Sequence, residues 1–358
     1  MLICGGRTVL RNPTNQQIAD CLGLNAPIDH EQVRDTVVVG AGPAGLAAAV
    51  YGASEGLDVL VLESTAPGGQ AGSSSRIENY LGFPMGISGQ ELAGRAYSQA
   101  QKFGAQVTVA KGARPSAAFE GRTRSSSKTG RRCRPGPSSS PPAPPTGSSR
   151  SPDLARFEGA GVYYGATTME AQLCRGEDVV VVGGGNSAGQ AAVFLSPSVR
   201  KVSMLVRAAG LAETMSRYLI RRIEQSPNIE LRTRAEIVSL EGGDRLEAIQ
   251  WRDNQTMAVE RNEVGHVFVM TGAEPTTRWL DGCVTRDEKG FIKTGPDLSR
   301  EDLLAAAWPL SRAPHLLETS LPGVFAVGDV RSGNQKRVAS AVGEGSTAIA
   351  LVHQVLKE

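Results

Sequence analysis

The apolar residues of this chain are concentrated in short β-branched runs, and two of these runs lead into the same arrangement of glycines. Residues 36–39 (T-V-V-V) precede G-A-G-P-A-G, and residues 178–182 (D-V-V-V-V) precede G-G-G-N-S-A. An Ala-rich stretch of helical character follows each. A buried strand, a glycine-rich turn and a helix form the context that a dinucleotide-binding fingerprint requires. The pattern therefore predicts two such units.

Around both fingerprints, apolar runs alternate with amphipathic segments, which indicates a doubly wound α/β fold. In the first unit we expect strands at 36–39, 59–62 and 106–109 and helices at 44–55 and 89–103. In the second we expect strands at 178–182, 201–206, 230–233, 237–240, 246–251 and 266–270, with helices at 187–195 and 215–225. Residues 323–329 (G-V-F-A-V-G-D) predict a buried strand, and a last helix is expected from about 341 to 356.

Residues 2–30 predict a strand, a glycine turn, a second strand at 8–10 and a helix that ends near Leu22. Thr14 is a suitable N-cap for this helix, and Gly23 suits the position after its end. A hairpin and one helix are too small to fold alone. The segment resembles the tail of a thioredoxin-fold domain, and a simple extension packed on the main body is the alternative.

Composition narrows the class of protein. The chain has 358 residues, 42 Gly, 40% hydrophobic residues and a net charge of +2, which suits a soluble α/β protein and gives no case for nucleic-acid or membrane binding. No apolar run approaches the length of a membrane span, and the first ten residues have no signal-peptide architecture. The five cysteines show neither a disulfide framework nor metal-ligand spacing. We therefore expect a reducing cytoplasm and no metal.

The composition changes abruptly at residues 121–151, which contain nine Ser, six Pro, seven Lys or Arg and no acidic residue. Such a long stretch without structural pattern is unusual inside a compact domain. A disordered linker is one interpretation. The other is a shifted reading frame, because one alternative frame can encode two strands around a D-G turn and then a buried strand ending in A-T-G. Resequencing the DNA would decide between the two interpretations.

The glycines and the residues that end the second strands carry the binding chemistry. In such loops one glycine permits the tight turn, the next lets the backbone approach a pyrophosphate, and the third small residue lets the helix pack on the strand. Glu63 ends the second strand of the first unit, where an acid accepts hydrogen bonds from a ribose hydroxyl. Arg207 stands at the equivalent point of the second unit, where a guanidinium suits a 2′-phosphate, and Arg221 and Arg222 are candidate helpers.

The order of the motifs, GxGxxG, PGGQ, central GGGNSA, GAxPxT and C-terminal VFAVGD, resembles the low-molecular-weight thioredoxin reductases and their relatives among the pyridine nucleotide-disulfide oxidoreductases. The resemblance covers residues 34–358 except the stretch of unusual composition at 121–151. It implies an FAD domain at 34–151 and 278–358 and an inserted NAD(P)H domain at 152–277. Residues 1–33 form the separate N-terminal segment, for which both interpretations above stay open. The resemblance also implies FAD and NADPH as cofactors.

The resemblance assigns candidate residues to both cofactors. For FAD they are Gly40, Gly42, Ala44, Gly45, Glu63, Gly69, Gln70, Asn79, Gly328, Asp329, Arg337, Val338 and Ala339. For the nicotinamide cofactor they are Gly183, Gly185, Asn186, Ser187, Ala188 and Arg207.

One departure from the family pattern bears on the chemistry. Thioredoxin reductases carry C-A-T-C where this chain has G-A-T-T, so Gly165 and Thr168 occupy the cysteine positions. Neither side chain forms a thiolate, which is the nucleophile of disulfide exchange. Cys174 lies nearby, but without a resolving partner we expect it to be a buried structural thiol. No catalytic residue is therefore assigned from the protein chain.

These observations favour an FAD enzyme that takes hydride from NADPH and passes electrons to an external acceptor. The acceptor would be a small redox protein of thioredoxin, ferredoxin or flavodoxin type, or a low-molecular-weight disulfide. We also expect the enzyme to be a homodimer. One alternative is a thioredoxin reductase that uses Cys174 or a cysteine supplied in trans. Another is an inactive chain, because residues 121–151 as written leave the FAD domain without a parallel strand. A flavin monooxygenase ranks last.

Overall fold

The computed structural model describes residues 2–4, 8–29, 32–110, 154–272 and 275–358. Its strands are β1 (Leu2–Cys4), β2 (Thr8–Leu10), β3 (Thr36–Val39), β4 (Val59–Leu62), β5 (Gln106–Thr108), β6 (Val162–Tyr163), β7 (Asp178–Val182), β8 (Lys201–Val206), β9 (Ile229–Thr233), β10 (Ala235–Gly242), β11 (Leu246–Asp253), β12 (Val259–Asn262) and β13 (His266–Val269). Its helices are α1 (Asn15–Cys21), α2 (Pro43–Ser54), α3 (Gly69–Gly72), α4 (Gly89–Lys102), α5 (Thr168–Leu173), α6 (Asn186–Leu195), α7 (Arg217–Gln225), α8 (Arg300–Ala305) and α9 (Val338–Val355).

The first unit is built on a parallel sheet of order β3-β4-β5. All four residues of β4 are buried, as expected for the central strand of a parallel sheet covered on both faces. Helices α2 and α4 pack on this sheet, and α9 packs along α2. The three predicted strands are confirmed to within one residue, and α9 begins three residues earlier than expected.

The predicted strand at 323–329 is wrong. Phe325 makes only an isolated bridge to Glu318, and a 3₁₀ turn follows at Gly328–Val330. A β-strand needs a neighbour with which to exchange backbone hydrogen bonds. Within the described residues, β3 pairs only with β4, so no strand stands at its other edge. The strand inferred from the alternative reading frame lies outside the described residues.

The second unit contains a five-stranded parallel sheet of order β6-β13-β7-β8-β9, with α6 and α7 packed on one face. A three-stranded antiparallel sheet, β10-β11-β12, packs on the other face. Strand β12 was not predicted, because three of its four residues (V-E-R-N) are exposed and three are polar. The two-residue strand β6 and the short helix α5 were not predicted either. All the strands and helices that were predicted in this unit are confirmed. Each end lies within two residues of the predicted one, and β10 is two residues longer at both ends. The fold is therefore a mixed α/β architecture with two dinucleotide-binding domains.

The N-terminal segment forms the expected hairpin and helix. Thr14 caps α1 in a capping box with Gln17, and Gly23 adopts φ +67° after the helix ends. Ala19 of α1 is buried in the core of the first unit. Asn25 then fastens the segment to the sheet, because its side chain accepts a hydrogen bond from Val109 N–H (2.8 Å) and donates one to Val109 C=O (2.9 Å).

Two cysteines of this segment correct the sequence analysis. Cys4 and Cys21 form a disulfide with Cα atoms 5.5 Å apart, although their spacing suggested no pairing. The hairpin folds back onto α1 and brings together two residues that are 17 apart in the chain. In the part of the chain that the structure describes, no helix is long and apolar enough to cross a membrane.

Candidate functional site

The first glycine loop joins β3 to α2 and lies against the loop that contains α3. A Cβ on Gly45 would stand 1.9 Å from Gly40 O, so only glycine lets α2 approach the turn this closely. A Cβ on Gly69 would stand 3.0 Å from Gly42 Cα, and Gly68 N–H donates to Ala41 O at 2.7 Å. The structure thus brings Gly40, Gly42 and Gly45 together with Gly69.

Glu63 lies directly after β4, beside this loop. Its carboxylate is buried and accepts hydrogen bonds from Ala41 N–H (2.7 Å) and Thr65 N–H (2.8 Å). Each carboxylate oxygen has a second acceptor site, so the group holds the loop and keeps capacity for a ligand hydroxyl. Gln70 and Asn79, also predicted for FAD, are exposed on the neighbouring loops.

The C-terminal candidates meet the first unit at the N-terminus of α2. A Cβ on Gly328 would stand 2.9 Å from Ala44 Cβ, and a Cβ on Gly345 would stand 2.2 Å from Ala44 O. Asp329 follows in the 3₁₀ turn and is half-buried. Burial raises the pKa of the Asp329 carboxyl, the Lys336 ammonium opposes this rise, and the Glu344 carboxylate adds to it.

Sequence analysis missed the residue that holds this turn, Glu344. Its carboxylate accepts hydrogen bonds from Gly328 N–H (2.7 Å), the Arg331 guanidinium (2.6 Å) and the Asn334 amide (3.0 Å). Glu344 lies on α9, 15 residues after Asp329, so nothing local in the sequence announces the contact. Arg337 is the N-cap residue of α9, and Val338 and Ala339 form its first turn.

The second glycine loop joins β7 to α6. A Cβ on Gly183 would stand 2.7 Å from Met270 O at the end of β13, which explains the glycine there. Gly185 is the N-cap residue of α6, Ser187 is exposed in the first turn, and Ala188 is buried beneath it.

Asn186 has a structural partner as well as a predicted binding role. Its side-chain oxygen accepts a hydrogen bond from Ser216 N–H at 2.7 Å, at the start of α7. Arg207 directly follows β8 and is exposed, at the position where the sequence predicts a 2′-phosphate contact.

Arg222, a predicted helper of phosphate binding, is engaged elsewhere. Its guanidinium donates to both oxygens of Glu78, at 2.7 and 2.6 Å, and forms an ion pair between α7 and the loop before Asn79. The phosphate role of Arg222 stays a prediction, and the structure adds a contact between the two units that sequence reasoning missed. The partners are 144 residues apart.

Gly165 and Thr168, which occupy the positions where the family carries its dithiol, lie near the junction of the two units. A Cβ on Gly165 would stand 3.6 Å from Ser73 Cβ, and Thr168 begins α5, which Thr167 and Glu170 cap. A cavity of about 340 Å³ lies beside Gly165, lined also by Tyr163 and Tyr164.

Cys174 is fully buried in the core of the second unit, as predicted for a structural thiol. Its Sγ donates to Glu170 O at 3.1 Å, and burial raises its pKa to about 11. A thiol with this pKa forms almost no thiolate at neutral pH.

These features fit two dinucleotides. Side chains of Ser or Thr cap the N-termini of α1, α4, α5 and α8, whereas no side chain caps α2, α6 or α9. Helix α3, which begins at the predicted FAD residue Gly69, and helix α7 also lack a side-chain cap. A missing cap alone therefore does not mark a binding loop, but α2 and α6 combine it with a glycine fingerprint, and free N–H groups at a helix N-terminus bind phosphate. Asp329 adds a half-buried carboxyl for which the described residues provide no hydrogen bond. These atoms suit the phosphates and hydroxyls of FAD and of a nicotinamide dinucleotide.

Comparison with known proteins agrees with this geometry. The model of the family described as pyridine nucleotide-disulphide oxidoreductase matches residues 34–132 and 146–345. A thioredoxin reductase of Mycolicibacterium smegmatis is 30% identical over 331 residues, which cover 89% of this chain and 95% of that protein. One from Borreliella burgdorferi is 28% identical over 334 residues, covering 91% and 93%.

Solved structures match as well. The crystal structure of T. acidophilum thioredoxin reductase has a TM-score of 0.71 and 27% identity, covering 90% of this chain and 99% of that one. Thioredoxin reductase of Lactococcus lactis in the FR conformation has a TM-score of 0.72 and 23% identity, covering 90% of this chain and 99% of that one. At this identity the match supports the fold alone. The chain belongs to the pyridine nucleotide-disulphide oxidoreductase family and is an NAD(P)H-dependent flavoprotein oxidoreductase of thioredoxin reductase type, with FAD and NADPH as its cofactors.

Proposed function

We propose that this enzyme passes electrons from NADPH, through FAD, to an external acceptor without an internal dithiol. The observation that carries the proposal is the absence of a reactive thiol where the dithiol of a thioredoxin reductase is expected. Gly165 and Thr168 hold those positions, and the nearby Cys174 is buried with a pKa raised to about 11. None of the three supplies the thiolate that disulfide exchange requires.

The chain's own residues would bind the two cofactors and orient them. When bound, FAD would accept a hydride from NADPH and deliver the electrons to the acceptor, which needs no protein nucleophile. The N-termini of α2 and α6 would hold the two pyrophosphates on backbone N–H groups, and Glu63 and Asp329 would accept hydrogen bonds from sugar or ribityl hydroxyls. Arg207 would bind the 2′-phosphate that distinguishes NADPH from NADH.

For the acceptor we propose a small redox protein of thioredoxin, ferredoxin or flavodoxin type, or a low-molecular-weight disulfide. The cavity beside Gly165 supports this proposal, because it leaves open space next to one of the two positions where the family carries its dithiol. A homodimer in a reducing cytoplasm, with domain boundaries at 34–151, 152–277 and 278–358, completes the proposal on the strength of the family resemblance.

The test begins with the flavin spectrum of the purified full chain, recorded anaerobically before and after NADPH. Bleaching of the flavin band, followed by NADPH oxidation with ferricyanide, is expected for the proposed reductase. The Cys174→Ser variant should oxidise NADPH at the same rate. A colourless protein that added FAD does not restore would instead support an inactive chain.

A second candidate, a true thioredoxin reductase, is favoured by the names of the relatives. A double variant, Gly165→Cys with Thr168→Cys, restores C-A-T-C around the native Ala166 and Thr167 and separates the two functions. We expect reduction of a thioredoxin-type acceptor by the wild type to be independent of Cys174, and the double variant to gain a thiol-dependent thioredoxin reduction that alkylation of the reduced enzyme abolishes. Thioredoxin reduction by the wild type that Cys174→Ser abolishes would refute the proposal. Reduction that survives Cys174→Ser but requires an added thiol-containing protein would point to a cysteine supplied in trans.

A further inference from the structure

The disulfide between Cys4 and Cys21 has no part in the function proposed above. It joins β1 to the last residue of α1, and both cysteines are half-buried, within reach of solvent. Among the described residues it is the only disulfide. The inference rests on the reducing cytoplasm proposed above, where a disulfide is in most cases transient and serves catalysis or redox sensing.

Within the described part of the chain, no residue of the hairpin that carries Cys4 is fully buried. Its register pairs Leu2 with Leu10, Ile3 with Val9 and Cys4 with Thr8. Ile3 and Val9 are 61% and 51% exposed, so one face of the ribbon lacks cover. An isolated two-stranded hairpin of three residues a side is marginally stable in water.

The helix at the other end of the disulfide is firmly attached. Ala19 of α1 is buried in the core of the first unit, and Asn25, just after the helix, forms two hydrogen bonds with the backbone of Val109. The disulfide therefore ties a weakly held ribbon to an anchored helix. Breaking it would release the ribbon and leave the helix in place.

We propose that Cys4 and Cys21 form a reversible thiol–disulfide switch, which a dithiol opens to release the β1–β2 hairpin from α1. In the first step, a thiolate of the dithiol attacks one sulfur of the pair, forms a mixed disulfide and releases the other cysteine as a thiolate. The second thiolate of the dithiol then attacks the mixed disulfide and releases the remaining cysteine thiolate. The dithiol is oxidised to its own disulfide, and Cys4 and Cys21 take up the two electrons and two protons. The switch is independent of the flavin chemistry.

The test uses the full chain and dithiothreitol as the probe. Alkylation followed by peptide mass measurement reports the state of each cysteine, and hydrogen exchange reports the hairpin. We expect millimolar dithiothreitol to reduce the pair in the folded protein and oxidised glutathione to restore it. Reduction should speed exchange at the amides of Thr8–Leu10 at least tenfold and leave those of β4 and β7 unchanged.

Matched variants distinguish release of the hairpin by opening of the disulfide from a general destabilisation of the protein by dithiothreitol. Cys4→Ser and Cys21→Ser should each show the fast exchange without dithiothreitol, whereas Cys283→Ser, outside the pair, should respond as the wild type does. The proposal is overturned if the pair resists dithiothreitol until the protein is unfolded. It is equally overturned if reduction leaves exchange in the hairpin unchanged, or if oxidised glutathione does not close the pair again.

Discussion

At the scale of single residues, Asp329 shows how a binding role and stability oppose each other. Burial raises the pKa of its carboxyl above the ordinary value of 3.8 in the folded chain. The folded state therefore binds the proton more tightly than the unfolded state does. The resulting stability is complete below pH 3.8 and is lost as the pH rises through the raised value, so at neutral pH the ionised group destabilises the protein without cofactor.

Asp329→Asn, which is neutral at every pH, should accordingly raise the melting temperature of the FAD-free protein at pH 7. It should also weaken FAD binding by about 10- to 100-fold, since a hydrogen bond to a charged group contributes about 1.5–3 kcal/mol. Thermal unfolding and FAD titration measure the two effects. Asp244→Asn, at an exposed turn, is the control, and a variant with lower stability and unchanged affinity would contradict the expectation.

His266 gives a stability that depends on pH in the opposite direction, although the cause is again burial. Burial lowers its pKa below the ordinary 6.5, which its contact with Glu177 (3.1 Å between Nε2 and Oε2) only partly offsets. Its ring stacks on Tyr163 with centroids 5.9 Å apart. Because the unfolded chain takes up the proton first, the stabilisation is complete above pH 6.5 and falls as the pH drops below it.

His266→Phe keeps an aromatic ring for the stack and removes the titration. We expect the free energy of unfolding of the variant to decline less steeply between pH 6.5 and 5 than that of the wild type. Denaturant unfolding across this range measures the slopes. His353→Phe, at a half-exposed position beside Glu55, controls for the loss of a histidine, and equal slopes for wild type and His266→Phe would rule out the assignment.

At the scale of elements, the sequence predicts what local pattern determines. Strands β3, β4, β7 and β8 are found at the predicted residues, because each is an apolar run bounded by turn residues. Thr14 and Gly23 mark the ends of α1 by capping chemistry that acts within a few residues. The glycine loops were predictable for the same reason.

Elements that depend on distant partners were not predictable. Residues 323–329 have a strand-like composition, yet within the described chain β3 offers them no adjacent ladder, and they form a bridge and a turn instead. Glu344 and the Cys4–Cys21 disulfide are likewise products of the tertiary fold. Pairing across many residues leaves no periodic signal in the sequence.

The contact between Asn25 and Val109, the residue that follows β5, is also of this kind, and it leads to a further prediction. Asn25→Ala removes both hydrogen bonds to the buried Val109, whose N–H and C=O would lose their partner. An unsatisfied buried polar group costs about 1–3 kcal/mol. We expect a loss of unfolding free energy in that range, measured by denaturant unfolding.

Gln16→Ala, on the exposed face of α1, is the matched control and should change the unfolding free energy by less than about 0.5 kcal/mol. Hydrogen exchange at Val109 should accelerate in Asn25→Ala and not in the control. An equal effect of both substitutions would mean that α1 is held by its packing alone and that the Asn25 contact adds nothing.

At the scale of the whole molecule, the ion pair between Glu78 and Arg222 bridges the two dinucleotide-binding units within the described part of the chain. Glu78 adjoins the predicted FAD residue Asn79, and Arg222 lies on α7, next to the predicted phosphate residue Arg221. The glutamate side chain is 19% exposed and the arginine 46%, so water screens the pair in part. Such pairs contribute about 0–1 kcal/mol to stability. Here one guanidinium nitrogen of Arg222, Nη1, contacts both oxygens of Glu78, so we expect the pair to bias the relative orientation of the units.

Charge reversal tests this role. Glu78→Arg and Arg222→Glu each place like charges where the structure has atoms 2.6 Å apart, so each should separate the units. The double variant restores the opposite charges and should recover the wild-type arrangement. Small-angle scattering at low salt should show a larger radius of gyration for both single variants, with the difference shrinking at high salt because ions screen exposed charges. Flavin bleaching by NADPH should change in the single variants and recover in the double one. If the double variant stays as open as the singles, the orientation of the units is set by contacts other than this ion pair.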